Sequence, residues 1–177
     1  MSATVSPVTG SPANLPSPVE LLFADFVAEH AATRRLLERF PDPRADWRPH
    51  AKSRTLAELS THVADIPNRG VSILSTEEVD VTKRQPMTPL TTREALVAHH
   101  DASVSRLETA LRGVDYPALA ANWTMRAGPQ VLVSAPRRLL LRRVMMSHLV
   151  HHRAQLGVYL RLLDIAIPGM YGPSADE

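Results

Sequence analysis

Apolar side chains recur at helical spacing in four segments of this chain. The first segment begins at Ser17-Pro18-Val19-Glu20, which has the form of a capping box with proline at the first helical position. We expect this helix to end near Phe40, because Pro41 and Pro43 follow it. Its apolar stripe consists of Val19, Leu22, Phe23, Phe26, His30 and Leu37. The spacing predicts that this face packs into the core.

Two further helices open with the same kind of start signal. Thr55-Leu56-Ala57-Glu58 and Thr91-Thr92-Arg93-Glu94 both match the capping-box pattern. Pro67 should kink the second helix, because it cannot donate a hydrogen bond to the carbonyl of Val63. Gly113 marks the end of the third helix. The inward stripes are Leu59, His62, Ile66 and Ile73 in helix two, and Leu96, His100, Leu107 and Leu111 in helix three.

The fourth predicted helix is the longest and runs from about Pro136 to Asp164. One face carries Leu141, Met145, His148, His152, Gln155, Leu156, Tyr159 and Leu163, and the opposite face carries Arg143, Arg153 and Arg161. The link Glu77–Leu90 and the link containing Trp123 and Gly128-Pro129 are long enough for a crossover. The pattern as a whole predicts an all-α fold, a four-helix bundle with long crossover links.

Composition narrows the chemistry that this fold can carry. A chain of 177 residues suits one domain, which we expect to span residues 17–177. The absence of cysteine excludes disulfides, a thiolate nucleophile and thiolate metal ligands, so His, Asp or Glu must bind any metal. Residues 1–16 are rich in Ser and Pro and do not resemble a secretory signal, which indicates a flexible tail and, by default, a cytoplasmic protein.

The charge pattern argues against nucleic acid and membrane partners. The formal net charge is only +2, and no apolar run is long enough to span a bilayer. The basic residues at the start of helix four have no recognition motif beside them, so a solvated face or a dimer rim explains them better. These residues are Arg137, Arg138, Arg142 and Arg143.

Histidines provide the strongest chemical signal. His148 and His152 are four residues apart, so on a helix their side chains lie on one face with Cβ atoms about 5–6 Å apart and can share a metal ion. They lie between Met145 and Tyr159 on the apolar stripe, where unpaired imidazoles are costly. His151 points away from the pair and is a weaker candidate.

Periodicity alone does not select the remaining ligands. His62 lies on the inward stripe of helix two, as His30 and His100 do in their own helices. A single histidine on such a stripe is commonly a hydrogen-bonded core residue, and a pair four residues apart is weak evidence by itself. The pattern therefore leaves five candidate ligands: His30, His62, His100, His148 and His152.

Several segments resemble the DinB/YfiT-like family of metalloenzymes. TLAELSTH at residues 55–62 resembles the helix-two segment of that family, and HLVHHRAQL at residues 148–156 resembles its HxxxHRGQ segment. Residues 158–161 and 167–174 are also similar to family sequences. The chain has Ala154 where the family pattern often has glycine, and this should not disturb the ligands because alanine favours helix.

The resemblance implies a four-helix bundle with a DinB/YfiT-like variant of up-and-down topology, which forms a homodimer. It also implies one divalent ion, nickel or zinc, bound by His62, His148 and His152. His30 then remains an alternative ligand, and His30 and His100 otherwise pack around the site or in the core.

Activities known in the family imply two enzymatic hypotheses, transfer of a low-molecular-weight thiol and metal-assisted hydrolysis. The family includes thiol S-transferases and a mycothiol-dependent isomerase. A divalent ion with three neutral ligands would acidify a bound water or bind a thiolate. Gln155 and Tyr159 could contact a small-molecule substrate, whereas Glu58 is already used in a capping box. The alternative is a non-catalytic, stress-related metal-binding or interaction module.

The C-terminal segment Pro168–Glu177 is too rich in Pro and Gly to be helical. It could fold back and place Tyr171 near the pocket, or it could pack against a partner subunit.

Overall fold

The computed structural model describes the backbone of residues 18–177, with the side chains of Glu20 and of the residues from Ala24 onward. The expected tail (residues 1–16) and the capping residue Ser17 lie outside the described residues, and so do the side chains of the stripe residues Val19, Leu22 and Phe23.

The described chain is mostly helical and contains a small sheet. In chain order its elements are α1 (Pro18–Leu37), α2 (Leu56–Ser75), β1 (Glu78–Asp80), α3 (Arg93–Arg112), α4 (Tyr116–Ala120), β2 (Asn122–Ala127), β3 (Gln130–Pro136), α5 (Arg137–Leu140) and α6 (Ser147–Leu162). A π-helical segment, Leu141–Met146, joins α5 to α6.

The helix starts follow the sequence signals closely but not completely. The capping box of α2 is present, because the Thr55 hydroxyl accepts a hydrogen bond from the Glu58 amide and the Glu58 carboxylate accepts one from the Thr55 amide. The box predicted at Thr91 is wrong by one residue. Thr92 caps α3 by accepting a hydrogen bond from the Ala95 amide, and alanine has no side chain to complete a box.

The long helices pack around one core. α2 contacts α1, α3 and α6, and α1 also contacts α3 and α6. The inward stripes predicted for α2 and α3 are buried, with the exception of His62, which is half-buried. Within the described part of the chain, no helix is long and apolar enough to cross a membrane.

The all-α expectation is only approximate, because the long links contain a three-stranded sheet. β2 and β3 form an antiparallel hairpin, and β1 pairs in parallel with β2. The hairpin turns at Gly128, whose φ of +55° suits glycine. Trp123 is the buried residue of β2, and its indole donates a hydrogen bond to the Thr76 hydroxyl (3.0 Å). The finer description as an up-and-down four-helix bundle remains a prediction.

One charged residue of the fourth helical region lies where the pattern did not place it. We expected Arg153 on the outer face, but its side chain is only 2% exposed. It forms a salt bridge with Glu29 and donates hydrogen bonds to the Glu29 carbonyl (2.9 Å) and the Thr33 hydroxyl (3.2 Å). These partners compensate the buried charge, so the face of α6 towards α1 can include an arginine.

Candidate metal centre

Three histidines from two helices converge on one point. α2 supplies His62, and α6 supplies His148 and His152 from consecutive turns. The Nε2 atoms of His62 and His148 are 2.9 Å apart, and one ring nitrogen from each of the three residues lies within 4.8 Å of the others. Three imidazole ligands with bonds of about 2.0–2.1 Å in tetrahedral geometry would have nitrogens about 3.3 Å apart. The observed arrangement fits such a set after small side-chain adjustments.

Burial keeps these three imidazoles neutral. It is the largest cause that lowers the pKa of His62 to about 3 and that of His148 to about 4, and the positive charges of Arg54 and Arg69 add to it. Burial also lowers the pKa of His152. Neutral imidazoles have a free lone pair, which is the state that a metal requires.

The partner of His152 fixes which of its nitrogens faces the shared point. Its Nδ1 lies 2.7 Å from Oε1 of Gln155. Because an amide oxygen only accepts hydrogen bonds, Nδ1 carries the proton and Nε2 keeps the lone pair. Gln155 therefore orients a candidate ligand, the role that outer partners have in metal sites.

Tyr159, the other expected pocket residue, stabilises a loop. Its hydroxyl donates a hydrogen bond to the Arg54 carbonyl (3.3 Å), and its ring packs edge-on against Trp47 (5.7 Å between ring centroids). These contacts fasten the segment before α2 to α6. Tyr159 thus acts on the position of Arg54.

A cavity of about 330 Å³ lies beside His62. It is lined by Arg54, Glu58, Thr61, His62, Asp65, Met87 and Pro89. The Thr61 hydroxyl accepts a hydrogen bond from the Leu90 amide (2.7 Å), which holds the link before α3 against α2. The cavity therefore has a charged wall from α2 and the segment before it, and an apolar wall from this link.

The sequence interpretation missed Asp65. Its Oδ1 accepts hydrogen bonds from Asn68 (2.7 Å) and from Nε2 of His99 (3.0 Å). Asp65 follows His62 by three residues, so helical spacing alone places both side chains on one face of α2. That spacing was a usable signal.

The other histidines lie outside this group. His30 and His100 are buried against each other, with ring centroids 5.6 Å apart, in the core between α1 and α3. Burial lowers the pKa of both, that of His30 to about 3. His151 is exposed, with its ring 4.8 Å from that of His152. The structure thus brings together the three predicted ligands, and neither His30 nor His100 joins them.

The C-terminal tail folds back onto the helices, but on another side of the molecule. The Tyr171 hydroxyl accepts a hydrogen bond from Arg153 (2.6 Å) and donates to the Glu29 carboxylate (3.0 Å). Tyr171 is not among the residues that line the cavity beside His62. The expectation that it could reach that pocket is therefore not met in this structure.

Comparison with known proteins agrees with the fold and with the resemblance. The DinB family model matches residues 11–177, whereas no curated protein sequence matches the chain. A DinB-like protein from Bacillus cereus is 18% identical, with a TM-score of 0.70 over 86% of this chain and 97% of that chain. One from Bacillus subtilis is also 18% identical, with a TM-score of 0.67 over 87% of this chain and 99% of that chain.

A mycothiol-dependent maleylpyruvate isomerase is a more distant structural neighbour. It is 15% identical, with a TM-score of 0.53 over 88% of this chain and 64% of that chain. At these identities the solved structures show a common fold, and the family model adds the assignment. This chain belongs to the DinB family.

Proposed function

We propose that this protein is an enzyme that uses one divalent ion, nickel or zinc, held by His62, His148 and His152. The observation that carries the proposal is the convergence of three neutral imidazole nitrogens beside an open cavity. Sites with three protein ligands and space for another group are typical of catalytic metals, whereas structural zinc sites have four protein ligands. When bound, the ion would supply Lewis-acid activation of an oxygen or sulfur nucleophile.

The reaction we favour is transfer of a low-molecular-weight thiol, with hydrolysis as the second candidate. The fold shared with a protein named as mycothiol-dependent supports the thiol. Cysteine is absent from the chain, so a thiol nucleophile must come from a small molecule. The cavity, at about 330 Å³, has the size of a small-molecule site.

Side chains of the protein have separable tasks in this proposal. Gln155 holds His152 in the tautomer that a metal requires. Asp65 lines the cavity, and its Oδ1 accepts hydrogen bonds from Asn68 and His99. Its other carboxylate oxygen, Oδ2, accepts no hydrogen bond from the described residues, so we assign to it the role of accepting the proton of the nucleophile. His99 and Asn68 keep this carboxylate in place.

Metal content tests the first half of the proposal. We expect about one ion per chain by elemental analysis, and an affinity reduced at least a hundredfold in His62→Ala and His148→Ala. His151→Ala is the matched control, because it removes an exposed imidazole from the same helix. Gln155→Leu should weaken binding by about 10–100-fold, the range found when outer partners of ligands are removed. Equal metal content in all variants would disprove the ligand assignment.

Turnover tests the second half. The metal-loaded protein should consume low-molecular-weight thiols in the presence of an electrophile, and a chelator should abolish the reaction. Asp65→Asn should lower the rate about 10²–10⁴-fold at unchanged metal content, because the amide cannot accept the proton. Stoichiometric metal without turnover of any thiol or hydrolysable substrate would overturn the enzyme proposal and favour a metal-binding module.

A further inference from the structure

We infer that Arg54 and Arg69 form an anion subsite beside the three-histidine group, and that the substrate carries a carboxylate. This inference rests on the proposed function, because it describes the substrate of that site. Its evidence is independent of the metal, since it concerns charges that are present in the chain itself.

Local geometry places Arg54 in the wall of the cavity and Arg69 further along α2 from His62. Arg54 lines the cavity together with His62, and its carbonyl is held by Tyr159. Arg69 follows His62 by seven residues on α2, a spacing that returns a side chain to the same helical face. Both guanidinium charges act on all three imidazoles, so both lie within electrostatic range of the point where the ring nitrogens meet.

Neither arginine forms a salt bridge among the described residues, although Glu58 lies within electrostatic range of Arg54 and Asp65 within that of Arg69. Arg126, Arg153 and Arg161 each form a salt bridge with a carboxylate. Arg54 and Arg69 form none within the described part of the chain.

The positive charge of Arg69 has a larger desolvation cost than an exposed charge would have, because this residue is half-buried. Burial is the largest cause that lowers its pKa, the neighbouring charges of Arg84 and Arg54 add to it, and the charge of Asp65 offsets part of this effect. A half-buried cation beside other cations is stabilised when an anion binds between them. An anion bound at this position would therefore stabilise the charge of Arg69.

The carboxylates of the cavity do not fill this role. Glu58 accepts a hydrogen bond from the Thr55 amide (2.7 Å) in the capping box of α2. Asp65 is held by Asn68 and His99 through its Oδ1. Arg84 adds a third positive charge near Arg69, so the guanidinium groups outnumber these two carboxylates, both of which already accept hydrogen bonds. The field at the site therefore favours an anion.

The shape of the cavity selects a small organic acid. Guanidinium groups bind carboxylates through paired, charge-assisted hydrogen bonds. Met87 and Pro89 form the opposite, apolar wall, which suits a short carbon skeleton. Such a molecule could place its carboxylate at the arginines and its reactive carbon towards the histidines.

Calorimetric titration tests this inference without a catalytic assay. Succinate is the probe, its neutral diamide tests the need for charge, and inorganic phosphate tests the other common anion. The variants are Arg54→Gln and Arg69→Gln. Arg69→Lys keeps the charge without the planar fork, and Arg112→Gln removes a distant, exposed guanidinium at the end of α3. Metal content and the thermal midpoint of unfolding are measured for every variant.

We expect succinate to bind the metal-loaded full chain, and its affinity to fall about 10–100-fold in Arg69→Gln and Arg54→Gln, because a charge-assisted hydrogen bond is lost. Arg69→Lys should be intermediate, and Arg112→Gln should bind like the parent. The metal-free chain should bind succinate more weakly, with the same dependence on both arginines.

Three results would overturn the inference. One is equal affinity for succinate in the parent, Arg54→Gln and Arg69→Gln. Another is binding of the diamide as tight as that of succinate. The third is phosphate that binds more tightly than succinate and depends on the same arginines. The inferred substrate would then carry a phosphate ester instead of a carboxylate. Failure of the proposed function is a separate result, namely absence of metal from the parent, and the metal-free titration still tests the arginines in that case.

Discussion

Replacing His30 with leucine should remove a measurable share of the sensitivity of this protein to mild acid. Within the described part of the chain, neither ring nitrogen of His30 has a hydrogen-bond partner, and the residue is only 5% exposed. Burial, the neighbouring His100 and the charge of Arg153 together lower its pKa to about 3. The folded state therefore holds this imidazole neutral, whereas the unfolded chain protonates it near its usual pKa of 6.5.

The direction and the magnitude follow from linkage. Between the two pKa values the unfolded chain binds more protons, so His30 reduces stability as the pH falls below 6.5 and continues to do so until about pH 3. For those two pKa values the free energy of unfolding should fall by about 2 kcal/mol between pH 8 and pH 5 on account of His30. Leucine does not titrate, so it contributes nothing to the pH dependence of the free energy of unfolding. The substitution also removes two unpaired polar atoms from the core, so the variant should be at least as stable as the parent at pH 8.

Urea denaturation at several pH values measures this difference. A chelator is present throughout, so that metal release from the three-histidine site does not contribute to the pH dependence. The quantity of interest is the free energy of unfolding of the parent minus that of His30→Leu, which should become more negative by about 2 kcal/mol from pH 8 to pH 5. His50→Leu controls for loss of an exposed histidine. Parallel pH profiles for the parent and His30→Leu would refute the reasoning.

Three further changes probe other parts of the fold. Arg153→Met should lower the free energy of unfolding by about 3–5 kcal/mol, because Glu29 stays partly buried without its cation, and Arg153→Met combined with Glu29→Gln should restore much of it in urea titrations. Trp123→Phe should cost about 1 kcal/mol or slightly more by thermal denaturation, because the hydrogen bond to Thr76 is lost. Asp176→Asn should sharpen the NMR signals of residues 165–177, since its carboxylate accepts hydrogen bonds that hold the tail. An arginine contact lowers the pKa of that carboxyl to about 2, so the parent should acquire the same spectrum only as the pH falls through that value.

Local signals in the sequence predicted most of the helical architecture. The capping box at Thr55 and the stop at Gly113 act on neighbouring residues, so the sequence contains all the information they need. The sheet was missed because β3 is mostly exposed and Trp123 is the one buried position of β2, so no alternation of buried and exposed residues marks a strand. Arg153 was misplaced because its partner, Glu29, is 124 residues away and only the fold brings them together.

The candidate site also has some residues that local sequence patterns predict and others that they do not. The spacing of His148 and His152 is local and was sufficient to predict the pair, but periodicity gave no reason to prefer His62 over His30. That choice came from the family resemblance, and the fold agrees with it because α2 and α6 are in direct contact at these residues. Asp65 was the avoidable omission, since its position on the face of His62 follows from helical spacing alone.

A single face of α2 connects the metal-binding proposal with the substrate proposal. His62, Asp65 and Arg69 follow one another at helical spacing, so one element would supply a metal ligand, a proton acceptor and an anion-binding group. α6 supplies the other two ligands and, through Tyr159, holds the loop of Arg54. The two functions then depend on different atoms of the same rigid pair of helices. Replacing Arg69 should change substrate affinity while metal content stays the same, and replacing His148 should remove the metal while the succinate affinity of the metal-free chain stays the same.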